Sequence, residues 1–144
     1  MLSRVLIIIA CSATLACSAQ KLPDNVSFLG NFDSEVQLSE NDIISIFNGT
    51  KQFIKLSSGR TVRINVVLPS EKNSGSEMFA KIIFEESKNY TQRHWLRLVF
   101  SGRCAAPEYS YSNEETIRIV SKSPNSIGFI NDTSYSGKLK IDLK

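Results

Sequence analysis

The chain has 144 residues and carries 17 Lys and Arg against 14 Asp and Glu, for a formal net charge of +3. That near balance gives no sign of a nucleic-acid partner or of attraction to an acidic membrane. A single His and three Cys leave no group of His, Cys, Asp and Glu at metal-ligand spacing, so no metal or other cofactor is expected.

Residues 1–19 read as an export signal. Arg4 supplies a positive start, Val5 to Ala10 open an apolar run too short to span a bilayer, and Ala16, Cys17, Ser18 and Ala19 are small. Two processing routes fit. Cleavage after Ala19 leaves Gln20 first; alternatively Leu15-Ala16-Cys17 resembles a bacterial lipobox and makes Cys17 the lipid-bearing residue, although Thr14 stands where Leu is usual. The expected location is the periplasm, either free or held to a membrane through Cys17. The remaining 20–144 suits one domain, and loss of Arg4 lowers the net charge from +3 to +2. Cys104 is then the only thiol of the domain, which rules out an internal disulfide and suggests a buried, inert side chain.

Gln20 to Asn25 reads as a tether, Val26 to Leu29 as a short strand, and Gly30 to Asp33 as a turn. A first helix follows. Ser39 can cap it with Asp42 three residues on, Leu38 can staple onto Ile43, and Gly49 provides a left-handed stop. Lys51 to Ile54 and Val62 to Leu68 are strand-like, the second alternating as though one face were buried and Pro69 ended it. Ser70 to Ser76 is a polar loop opening a second helix with Met78, Phe79, Ile82 and Ile83 in its stripe. Thr91 is expected to cap a third helix, which carries Trp95, Leu98 and Val99 and stops at Gly102. Ala105 to Tyr111 reads as a loop, Ser112 and Glu115 have capping-box spacing for a fourth helix with Ile117 and Val120 inward, and Ile127 to Ile130 is a short buried strand. Leu139, Ile141 and Leu143 alternate in an expected final strand.

Strands alternating with helices predict an α/β layered domain. Three segments also occur in a telling order: Ile46-Phe47-Asn48-Gly49, Trp95 to Gly102, and Pro124 to Ile130 with its Ile-Gly-Phe. Together they resemble the substrate-binding proteins of phosphate ABC transporters, from about Leu38 onward. The resemblance implies a single sheet-and-helix lobe like one lobe of a type II periplasmic binding protein. It also implies binding of phosphate, another oxyanion or a small solute, in company with an ABC permease. Carried over residue by residue, it makes Ser74, Gly75 and Ser76 the anion-binding step, with Ser76 in place of Thr. A helix start there offers free N–H groups and the positive end of the dipole.

This sequence departs from that pattern in three ways. No Arg precedes the triplet, so Lys72, without an arginine's fork, is the only nearby cation. Glu77 would occupy the helix's positive end itself, and nothing before Leu38 resembles the anion loop of a first lobe. One lobe leaves a ligand half solvated, unless two chains pair to rebuild the pocket. The alternative reading is therefore an envelope interaction or accessory module that has lost solute binding.

The remaining candidates are weaker. His94 has no nucleophile at a spacing that suggests a dyad, and it reads as a surface residue on the third helix; no enzymatic activity is expected. Trp95 reads as core. Tyr109 and Tyr111 lie in the expected loop and are candidates for a contact surface. Four Asn-x-Ser/Thr triplets, at Asn25, Asn48, Asn89 and Asn131, are discounted as glycosylation sites because the leader looks bacterial.

Overall fold

A computed structural model describes residues 22–144. The export signal, the Ala19 cleavage point and Cys17 lie outside the described residues. The elements run β1 (Ser27–Asn31), α1 (Glu40–Phe47), β2 (Phe53–Lys55), β3 (Thr61–Arg63), β4 (Asn65–Pro69), α2 (Ser76–Phe84), α3 (Lys88–Phe100), β5 (Glu108–Ser110), α4 (Asn113–Lys122) and β6 (Ser126–Ile130). The domain is mixed α/β: a four-stranded sheet ordered β1-β6-β4-β5, plus the separate β2–β3 hairpin. β4 runs parallel to both β5 and β6, and β1 runs antiparallel to β6.

Helices cover both faces of this sheet. Phe28, Leu68, Ile127 and Phe129 point to one side, where they join Ile43, Phe47, Phe79 and Trp95 of α1, α2 and α3. Their neighbours Leu29, Val67 and Ile130 point to the other and meet Val120 of α4. Such two-sided burial erases the alternation that a half-exposed strand shows. It explains why the stretch from Val62 to Leu68 is not one strand with one buried face. The run breaks at Ile64 into β3 of the hairpin and β4 of the main sheet, and β4 buries both Val67 and Leu68.

Local chemistry sets the helix ends. Ser39 and Asp42 form the reciprocal capping box at α1, and Lys51 reaches Asp42 at 2.6 Å. Burial acts to raise the Asp42 carboxyl, but hydrogen bonds from Lys51 and Ser39 outweigh it and hold it below its ordinary value. Gly49 and Gly102, at φ +84° and +73°, turn the chain out of α1 and α3. Gly128 lets α4 approach β6, since a Cβ there would sit 2.8 Å from Thr116 Cγ2 and 2.9 Å from Val120 Cγ2.

Several expectations are corrected. α3 starts at Lys88 with Ser87 at its cap, and Thr91 is a buried residue inside the helix whose hydroxyl has no partner among the described residues. Gly30 and Asn31 belong to β1 rather than to a turn. The expected loop from Ala105 to Tyr111 contains β5. Leu139 to Leu143 forms no continuous strand: Lys140 makes an isolated bridge to Leu29 on the outer edge of β1, with Gly30 N donating to Leu139 O and Ile141 N to Phe28 O, and Leu143 makes another to Leu38.

Candidate functional site

Strand order places the natural ligand position. From β4 the chain leaves through α2 and α3 to β5 on one side, then returns through α4 to β6 on the other. In open α/β sheets, ligands settle outside the carboxyl ends of the strands at such a reversal, here between β4 and β6. The loop carrying Lys72, Ser74, Gly75 and Ser76 lies there. A Cβ on Gly75 would stand 3.1 Å from Phe129 Cε1 and 3.3 Å from Asn131 Cγ, so the start of α2 presses on the end of β6. Asn131 N also points at Asn113 Oδ1 of α4, at 3.4 Å.

Two of the residues expected to hold an anion, Gly75 and Ser76, already have their donors engaged. Gly75 N donates to Asn73 Oδ1 at 2.9 Å, and Ser76 N to Asn73 O at 3.0 Å. The Ser76 hydroxyl is buried and donates to Glu71 O at 3.3 Å. Asn73 cannot easily withdraw: it is 4 % exposed, and its own Nδ2 donates to Ser110 O at 3.1 Å. Its side-chain oxygen thus stands where an anion's oxygen would accept from Gly75. This is the Asx turn that asparagine favours two residues before such an amide, and it was the one signal in the loop pointing to Asn73. Ser74 and Lys72 are exposed at the rim, and the amides of Glu77 and Met78 have no protein acceptor among the described residues. The acids of the first turns, Glu77 on α2 and Glu114 and Glu115 on α4, supply negative charge at both helix starts.

The other motif residues meet at a different place. Trp95 Nε1 donates to Phe47 O at 2.9 Å, His94 Nε2 to Asn48 O at 2.7 Å, and the Cys104 thiol to Gly49 O at 3.5 Å. Three successive carbonyls at the end of α1, which no helical amide can reach, are closed by α3 and the turn after it. His94 is therefore a half-buried structural donor stacked on Tyr90, not a surface residue. Trp95 is core, as its spacing indicated. Burial pushes the Cys104 thiol up, the nearby Arg63 and Arg103 only partly opposing it, so the group stays protonated.

Of the two tyrosines, Tyr109 is half-buried in β5 against the main core, and burial raises its hydroxyl's pKa; only Tyr111 is well exposed. A groove of about 460 Å³ runs between Phe32 and Ser34–Gln37 on one side and Lys138–Lys144 on the other, and shares no residue with the Ser74–Ser76 loop. Among the described residues, no group of three or more His, Cys, Asp and Glu is placed to hold a metal ion, and no helix is long and apolar enough to cross a membrane. Compared with known proteins, the chain matches no family model, no curated protein and no solved structure.

Proposed function

We propose that this chain is an exported, non-enzymatic interaction lobe, laid out like the second lobe of a phosphate-type substrate-binding protein, whose anion step has been closed. One observation carries the reading: Asn73 takes up the Gly75 and Ser76 amides that an oxyanion would need. Displacing it would strand the Gly75 donor until the ligand compensated it, at a cost of about 1–3 kcal/mol for a buried group, while Ser110 O would keep only its bond from Ser70 N. The acidic first turns of α2 and α4 add repulsion. Engagement of His94 with Asn48 supports the absence of a hydrolytic dyad.

The receptor reading keeps one specific support. Lys72 and the Ser74 hydroxyl are exposed beside the unpartnered Glu77 and Met78 amides, so a loosely held phosphate could still touch the rim. Isothermal titration of residues 20–144 with phosphate, and with sulfate as control, separates the two. The interaction-lobe reading expects no heat and no thermal shift at millimolar phosphate. Saturable micromolar binding lost in Ser74→Ala/Ser76→Ala would sink it and restore a solute receptor serving an ABC permease.

A further inference from the structure

We propose that the C-terminal half of α3 and the turn after it dock this domain onto an anionic lipid surface. The balance of charges over the whole chain conceals an uneven distribution. Among the described residues, Arg60 pairs with Asp33 and Arg118 with Glu115, whereas Arg63, Arg93, Arg97 and Arg103 have no carboxylate partner. All four unpaired arginines belong to one strip. Arg93 and Arg97 are on α3, Arg103 follows it, and Gln52 joins Arg103 to Arg63 by donating to Arg103 O at 2.7 Å while accepting from Arg63 at 3.3 Å. α3 itself contains no acid in Lys88–Phe100, and Glu85 and Glu86 precede its far end, about 20 Å from its last turn at the helical rise.

The same strip holds most of the exposed apolar bulk. Phe100 is 85 % exposed and Leu96, one turn back, 44 %; Phe53, beneath the Arg63 guanidinium, is 54 % exposed. Aromatic and aliphatic side chains between unpaired arginines are the chemistry of a helix lying in a lipid interface. Two exposed apolar residues on α3 fall well short of the roughly 800 Å² per partner that a stable protein interface buries. They suffice, however, to insert among headgroups while the arginines neutralise lipid phosphates. Arg97 sits in the last turn of α3 and Arg103 just beyond it, where the negative end of the helix dipole favours cations without consuming their charge. This inference extends the interaction-lobe reading by naming a partner surface. Its readout is independent of phosphate titration, so either can fail alone.

The test is co-sedimentation of residues 20–144, which hold every element of the fold and exclude the apolar leader, with vesicles of phosphatidylglycerol in phosphatidylcholine. Pure phosphatidylcholine vesicles are the control. The expected result is binding to the anionic vesicles alone, weakening as salt rises. Arg97→Glu/Arg103→Glu and Phe100→Ser should each reduce partitioning by about tenfold or more. Both alter exposed side chains, and unchanged thermal midpoints would show that the fold survives. The salt titration needs no variant at all. Equal binding to both vesicle types, no binding to either, or binding unaffected by the substitutions would overturn the proposal. Retention on immobilised polyglutamate without vesicle binding would also overturn it and assign the strip to an acidic protein partner.

Discussion

Two helix ends in this domain solve the same problem in opposite ways. At the C-terminus of α1 the orphan carbonyls of Phe47, Asn48 and Gly49 are met by Trp95, His94 and Cys104, side chains that arrive from a distant part of the chain. At the N-terminus of α2 the orphan amide of Gly75 is met by Asn73, two residues away. The first arrangement holds two helices together. The second caps its own loop and, through Asn73 Nδ2, ties that loop to Ser110 of β5, and on the reading proposed above it closes the anion step. A motif recognised by its residues can thus serve packing at one end and self-capping at the other, and only its hydrogen-bond partners tell which.

The comparison breaks most visibly at Trp95. Trp95→Ala removes a buried indole and leaves Phe47 O unpaired, so urea unfolding should show a loss of about 3–5 kcal/mol. Trp95→Phe, which keeps much of the volume, should lose less. Asn73→Ala should cost about 1–3 kcal/mol through the stranded Gly75 amide and the lost bond to Ser110 O, which keeps its bond from Ser70 N. It also sharpens the comparison: if Asn73 stands in for an anion, the variant alone should gain thermal stability in phosphate. A variant indifferent to phosphate would mean the loop is purely structural.

The smallest effect lies at the other end of α1. The folded carboxyl of Asp42 is held below its ordinary value of 3.8. Its contribution is therefore complete above that value and fades as pH falls through the lowered folded one. Asp42→Asn should cost about 0.5–1 kcal/mol near neutrality and flatten the acid limb of a stability–pH curve.

What the sequence made legible was local. The Ser39–Asp42 capping box, the stops at Gly49 and Gly102, the Ser112 cap and the buried β6 all follow from short-range rules, and all are present. What it concealed depends on distant neighbours. β5 is three residues long and exists because β4 offers Glu108, Tyr109 and Ser110 a parallel edge at Val67, Leu68 and Pro69. The division between β3 and β4, and the failure of Leu139 to Leu143 to become a strand, are decided by which sheet edge is available. Thr91 looked like a cap because its chemistry suits one, yet α3 begins a turn earlier and buries it. At the candidate site the triplet itself was easy to find. That Asn73 already serves it required the position of Ser110, on another strand.

β1 pairs with β6 along its whole length, from Ser27 opposite Ile130 to Asn31 opposite Ser126. This joins the first strand of the domain to the last, and every other element lies between them in sequence. Contacts of such separation form slowly, because the intervening loop must be closed before they contribute. Until β6 is available, β1 has no partner in the main sheet, and its Phe28 and Leu29 have no Phe129 or Ile130 to pack beside. A chain interrupted before Ser126 should therefore stay open and protease-sensitive, however well its helices form. Folding of the domain should thus wait on the meeting of β1 and β6, the first and last of the described strands.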